Sequence, residues 1–66
     1  MKQEYRGFTV GDKIVLNYMD DPQAPVPGTK GTIRFIDDIN TLHVNWENGS
    51  SLGVILEAGD LISKIN

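Results

Sequence analysis

The sequence predicts an all-β fold built from five short strands, and two observations point to it. Apolar and polar residues alternate with a period of two in several segments, and residues typical of turns separate these segments. Apolar residues do not recur with the 3.6-residue period of a helix in any stretch of the chain. Because the chain has only 66 residues, we expect one domain, with a lead-in at residues 1–9 and a barrel at residues 10–66.

The first strand is predicted at residues 13–19, where alternate apolar side chains would share one face. A segment rich in proline follows, with prolines at positions 22, 25 and 27. Each proline fixes its own φ angle and favours extended backbone in the residue before it. We therefore expect a long, stiff loop that crosses one end of the barrel and ends in a turn at Pro27-Gly28.

The next two strands form a predicted hairpin around residues 37–40. A four-residue turn there would create three cross-strand pairs: Phe35 with Leu42, Ile33 with Val44, and Gly31 with Trp46. The apolar members of these pairs would then share one face. Because glycine has no side chain, the position opposite Trp46 would leave room for the indole ring.

The following hairpin turns at Asn48-Gly49, and its turn could contain either two or three residues. A two-residue turn would set Leu52 and Val54 against the polar face of the preceding strand. A three-residue turn at residues 47–49 would bury both of them, with these pairs: Trp46 with Ser50, Val44 with Leu52, and Leu42 with Val54. Such a turn is a type I turn followed by a bulge, with Gly49 in the left-handed conformation. We predict the three-residue turn.

The apolar face of this three-stranded sheet needs a cover. Side chains from both ends of the chain could supply it: Ile14, Leu16, Tyr18, Leu61, Ile62 and Ile65. Five strands with a long proline-rich loop after the first one imply a sheet that bends and closes on itself. We therefore predict a small SH3-like barrel. An OB-like barrel is the alternative, but that fold usually needs more residues and a helix between strands.

Several short motifs form a distinctive combination: Gly11-Asp12, Met19-Asp20-Asp21-Pro22, Pro25, Pro27-Gly28-Thr29, Gly31-Thr32, His43-Val44, Trp46 and Asn48-Gly49-Ser50-Ser51-Leu52. Together they resemble a bacterial family catalogued as a domain of unknown function, number 4314. The resemblance covers residues 7–65 and implies an SH3-like fold found in Gram-positive bacteria, often on conjugative elements, plasmids and phages. It implies no activity. The family usually has aspartate where this chain has Glu47, at the flank of a turn.

Composition argues against several classes of function. The chain has no cysteine and one histidine, so disulfides are excluded and a structural zinc site nearly so. The pairs Asp20-Asp21 and Asp37-Asp38 lack the spacing of a calcium loop, and we interpret them as turn caps. No apolar stretch resembles a signal peptide or a membrane span, so we expect a soluble, cytoplasmic protein. We expect no metal, no cofactor and no catalytic activity.

The proline loop, residues 19–29, and Trp46 are the candidate binding features. In SH3-like folds the long first loop forms a wall of a peptide groove, and acidic residues beside an aromatic side chain would suit a basic or extended peptide. The sequence thus predicts a non-catalytic binding module with these partner-binding residues: Asp20, Asp21, Pro22, Pro25 and Trp46. Both features also have structural explanations, because prolines restrict the unfolded chain and Trp46 is in phase with core residues.

Two other functions stay open. Lys13, Lys30 and Arg34 could form a nucleic-acid-binding face, although a net charge of −3 and scattered basic residues argue against it. The domain could also be a structural unit, monomeric or weakly self-associating, that dimerises through the edge of a strand.

Overall fold

Six short strands and one 3₁₀ turn make up the regular structure of residues 2–65, which the computed structural model describes. The elements are β1 (Glu4–Tyr5), β2 (Phe8–Thr9), β3 (Lys13–Tyr18), β4 (Lys30–Ile36), β5 (Leu42–Trp46), the 3₁₀ turn (Leu56–Ala58) and β6 (Leu61–Lys64). Since residues 2–65 contain no α-helix, the predicted all-β class is confirmed. Nor do these residues include a helix long and apolar enough to cross a membrane.

The strands form two separate sheets. β1 and β2 pair as a small antiparallel hairpin, and the other four strands form an antiparallel sheet in the order β5-β4-β3-β6. The last strand therefore lies beside the first strand of the main sheet. Hydrogen bonds between strands do not close residues 2–65 into a barrel, so the main sheet is open and the predicted closed, five-stranded barrel is not confirmed.

The register between β4 and β5 is partly as predicted. Two of the expected pairs are present: Gly31 with Trp46, and Ile33 with Val44. In these pairs the side chains of Ile33, Val44 and Trp46 are buried. The position opposite Trp46 is thus occupied by glycine, as expected from the need to accommodate the indole.

Beyond Ile33, a β-bulge changes the register of the β4–β5 pair. One additional residue in β4 makes Phe35 pair with His43 and Ile36 pair with Leu42. The prediction that Phe35 pairs with Leu42 and faces the core is wrong, and the fully buried Ile36 takes that position. Because Phe35 and Ile36 are adjacent apolar residues, either could fill the core, and a strict period of two cannot foresee the bulge.

The hairpin after β5 has the predicted three-residue turn, but of the two side chains that this turn was expected to bury, Val54 is buried and Leu52 is only partly buried. The amide of Trp46 donates to the Ser50 carbonyl at 3.1 Å, and Gly49 has a φ of 90°. Further along, Leu42 and Val54 pair through two backbone hydrogen bonds of 2.9 and 2.8 Å. We call residues 50–55 the edge segment, because they run beside β5 at the end of the main sheet.

The core lies on one face of the main sheet. It consists of eight buried side chains: Ile14, Leu16, Ile33, Ile36, Leu42, Val44, Trp46 and Val54. Six partly buried side chains pack against it: Tyr5, Phe8, Val10, Met19, Leu56 and Ile62. The hairpin of β1 and β2 therefore contributes to the cover, for which the sequence predicts only the first and last strands of the barrel.

Two side chains predicted to cover the core are exposed instead. Tyr18 is 51% exposed and Leu61 is 56% exposed. A second bulge explains both, because β3 has one additional residue, Asn17, between the residues that pair with β6. This shift turns Tyr18 away from the face that Leu16 occupies.

Candidate functional site

An open groove of about 560 Å³ lies among the proline loop, β5, the edge segment and the chain leading to β6. Three aspartates line it: Asp20, Asp21 and Asp60. Among residues 2–65, no lysine or arginine contributes to this lining. The groove is consequently an acidic surface with polar and apolar walls.

Hydrogen bonds within the proline loop hold the first wall of the groove. The carboxylate of Asp21 accepts the amide of Gln23 at 2.8 Å, and the Asp21 carbonyl accepts the amide of Ala24 at 3.0 Å. At the far end of the loop, the Gly28 amide donates to the Leu16 carbonyl at 2.7 Å. The expected turn-capping role of Asp21 is confirmed, and both ends of the loop are held by hydrogen bonds.

The structure divides the five residues predicted to contact a partner. Asp20 and Asp21 are exposed and line the groove. Pro22 is exposed but does not line the groove, and Pro25, which is buried, does not line it either. Trp46 is only 4% exposed, so its predicted place in the core is confirmed and it offers a partner little surface.

Trp46 instead positions one wall of the groove. Its indole Nε1 donates a hydrogen bond of 2.9 Å to the carbonyl of Leu52, which lines the groove. The amide of Leu52 donates to the hydroxyl of Ser50 at 3.2 Å. Side chains thus satisfy both backbone groups of Leu52, where a regular sheet would use the neighbouring strand.

Asp60 is a groove residue that the sequence analysis missed. Its carboxylate accepts the backbone amide of Ile55 at 2.8 Å, which ties the end of the edge segment to the start of β6. The pattern Glu-Ala-Gly-Asp indicated only an irregular link. Aspartate often accepts backbone amides near a turn, but the sequence does not indicate that Asp60 would reach back five residues to Ile55.

His43 also lines the groove, and its surroundings were not predicted. Its ring stacks on Phe35 with centroids 4.1 Å apart and planes 10° from parallel. Its Nε2 lies 2.8 Å from a carboxylate oxygen of Asp37. The bulge in β4 places Phe35 opposite His43, so the stack could be foreseen only once the bulge is known.

The hydrogen bonds of Asp37 predict a loss of stability in acid. The hydrogen bond from His43, followed by those from the amides of Thr41 and Ile39, lowers the pKa of Asp37 below its ordinary value of 3.8. The folded protein therefore binds this proton less readily than the unfolded chain does. Stability from Asp37 should be complete above the ordinary pKa and should decline as the pH falls through it towards the lowered value.

Urea unfolding of the wild type and of Asp37→Asn at neutral pH and at about pH 3 would measure this contribution. Between the two conditions, the free energy of unfolding of the wild type should fall further than that of Asp37→Asn. Equal falls for the two proteins would contradict the assignment.

A second polar surface lies on the outer face of the main sheet, away from the core. Lys13 pairs with Thr32 across β3 and β4, with Nζ 3.4 Å from the threonine hydroxyl, and Lys30 pairs with Val15. Arg34 lies with its guanidinium carbon 4.8 Å from the centre of the Phe35 ring. Within residues 2–65, none of these three cations forms an ion pair with an acidic side chain.

The same range of residues contains no cluster of three or more histidine, cysteine, aspartate or glutamate side chains that could hold a metal ion.

The fold and the groove together define a small all-β domain with one acidic surface groove. The chain matches the family described as Domain of unknown function (DUF4314) over residues 1–65, and it belongs to that family. No curated protein and no solved structure is significantly similar to it.

Proposed function

We propose that this domain is a non-catalytic binding module and that its acidic groove binds a basic, extended peptide. The observation that carries the proposal is the charge of the groove, which three aspartates line and no lysine or arginine of residues 2–65 does. Lysine and arginine side chains of a partner would meet carboxylates of opposite charge there. Such charge complementarity increases the specificity of binding and the rate of association more than it increases the affinity.

The carboxylates of Asp20 and Asp21 are accessible to a partner. Both residues are exposed, and neither forms an ion pair within residues 2–65. Asp60 is half-buried and accepts the amide of Ile55, so its charge is fixed at the other wall. A cationic partner would therefore bind without first displacing a cation of this chain.

The arrangement of the strands supports an SH3-like module. A long loop separates β3 from β4, a meander follows, and β6 returns beside β3. The long loop forms a wall of the groove, which is the place such a loop has in SH3-like folds. We propose that the module operates in the cytoplasm within a bacterial mobile-element system, as the resemblance noted in the sequence implies.

Reversal of one groove charge tests the proposal. Asp20 is the cleaner choice because Asp21 also holds the turn of the loop. At low salt, Asp20→Lys should weaken binding of a labelled seven-residue peptide of alternating lysine and valine by about fivefold, which corresponds to ~1 kcal/mol. Fluorescence anisotropy of the labelled peptide would measure the affinity.

Glu47→Lys is the matched control, because it makes the same change of charge at an exposed position that does not line the groove. This variant should bind the peptide nearly as tightly as the wild type. An equal loss in both variants, or no binding by the wild type, would contradict the proposal.

Nucleic-acid binding is the second candidate function, and the outer face of the sheet favours it. Lys13, Lys30 and Arg34 are exposed there, and Arg34 packs against an aromatic ring. A labelled single-stranded oligonucleotide in the same assay separates the two candidates. Binding of the oligonucleotide without binding of the peptide would replace the peptide proposal with this one.

A further inference from the structure

We propose that the groove holds its ligand by β-strand addition, in which an extended basic peptide pairs through its backbone with Ser51 and Gly53 of the edge segment. This inference rests on the proposed function and states how the groove recognises its partner. It requires that the edge segment is extended, that its outer edge has free backbone groups, and that this edge faces the groove.

The lengths of the two paired segments show that the edge segment is extended. Trp46 bonds to Ser50 at one end, and Leu42 bonds to Val54 at the other. Both segments therefore span the same distance with the same number of residues. Because residues 42–46 are a strand of about 13 Å, at ~3.3 Å per residue, residues 50–54 must be equally extended.

The direction of the backbone groups follows from this extension. Val54 directs both its amide and its carbonyl towards Leu42 of β5. In an extended chain the groups of successive residues point to opposite sides, so Gly53 and Ser51 direct theirs away from β5. Within residues 2–65, the backbone groups of Ser51 and Gly53 make no hydrogen bond, and both residues line the groove.

The free edge is closed at both ends. The amide of Ile55 donates to the Asp60 carboxylate at 2.8 Å, and the Ile55 carbonyl accepts the amide of Ala58 at 3.1 Å. At the other end, the next residue whose groups would point away from β5 is Gly49, and its amide donates to the Trp46 carbonyl within the turn at 3.0 Å. Only residues 51–53 are therefore open to a partner, which limits the addition to a short stretch of peptide.

Charge decides which strand can add to this edge. A second copy of the chain would bring its own groove aspartates against those of the first copy: Asp20, Asp21 and Asp60. Like charges would then face each other across the new pair, and each chain already carries a net charge of −3. An extended peptide with alternating lysines has the opposite charge and supplies the missing donors and acceptors.

Two peptides of the same sequence test the inference without any change to the protein. The first is a capped seven-residue peptide of alternating lysine and valine. The second has the same sequence but carries an N-methyl group on the backbone nitrogen of every valine. N-methylation removes backbone donors from one edge of the peptide but keeps its charge. We expect at least a tenfold loss of affinity for the methylated peptide.

Amide hydrogen exchange measured by NMR locates the contact. The unmethylated peptide should slow exchange at Ser51 and Gly53 at least severalfold, because these amides become hydrogen-bonded. Exchange at Val54 should change little, since its amide already donates to Leu42. The amide of Asn48, in the turn outside the groove lining, serves as a further reference.

The outcomes separate this inference from the proposed function. Equal affinity for both peptides, with unchanged exchange at Ser51 and Gly53, would overturn strand addition and leave a groove that binds by charge. Failure of both peptides to bind would overturn the proposed function as well. Protection of Ser51 and Gly53 that rises with protein concentration alone would identify a second copy as the occupant and would also overturn the inference.

Discussion

Replacement of Trp46 by alanine should remove a large share of the stability of the domain. Trp46 is 4% exposed, and it is the largest side chain of the core. Removal of a buried tryptophan or phenylalanine side chain costs about 3–5 kcal/mol. At ~0.05–0.15 kcal/mol per residue, a domain of 66 residues has a total stability of roughly 3–10 kcal/mol. Circular dichroism during urea unfolding would measure the loss independently of tryptophan fluorescence.

Trp46→Phe separates packing from hydrogen bonding in this prediction. Phenylalanine retains much of the buried ring but cannot donate to the Leu52 carbonyl, which the indole contacts at 2.9 Å. The loss of that partner should cost about 1–3 kcal/mol, so the variant should stay folded with a lower midpoint. A Trp46→Ala variant within about 1 kcal/mol of the wild type would show that the core tolerates the cavity, contrary to the expectation.

Trp46 also shows how far the sequence could predict the candidate site. Its phase with Leu42 and Val44 and the position of Asn48-Gly49 predicted the core and the three-residue turn. The hydrogen bond from its indole to Leu52 was not predictable, because it depends on where the backbone of the edge segment lies in space. The role of Trp46 is to place the groove wall, and its burial removes it from the contact surface.

At the two bulges, the alternation of apolar and polar residues does not predict which side chains face the core. A period of two assigns Phe35 and Tyr18 to the core face, yet one additional residue in each strand turns both away from it. Local sequence carries no signal for these insertions, because Arg34 and Asn17 are ordinary polar residues of a strand. The bulges depend on how the strands pair in the folded protein. In β4, that pairing places Ile36 rather than Phe35 in the core.

The hairpin of β1 and β2, by contrast, had a local signal. Tyr5 and Phe8 flank Arg6-Gly7, and both turn residues have positive φ angles, 52° and 85°. A two-residue turn with positive φ at both positions is of type I′, which suits the twist of a hairpin. The sequence nevertheless indicates only a lead-in at residues 1–9, because Arg-Gly is a weaker signal for a type I′ turn than Asn-Gly or Asp-Gly. The two-residue strands beside it are too short for a test of periodicity.

Replacement of Gly31 by alanine should destabilise the domain by about 1–3 kcal/mol, although alanine usually suits a strand better than glycine does. A Cβ atom at this position would lie 2.6 Å from Cγ1 of Val44, 2.8 Å from Cε3 of Trp46 and 3.0 Å from the carbonyl oxygen of Asn45. The first two neighbours are buried in the core, and the third is backbone, so none of them can move aside easily. Urea unfolding followed by circular dichroism would measure the loss.

Gly53→Ala is the matched control, because Gly53, like Gly31, has no positive φ that would strain an alanine. Its Cβ would meet one close neighbour, Cγ2 of Thr41 at 2.7 Å, and that methyl group belongs to a partly exposed side chain outside the buried core. The loss for Gly53→Ala should therefore be smaller, under about 1 kcal/mol. Equal losses at the two positions would mean that the core around Trp46 can relax, and that glycine opposite the indole is not required by packing.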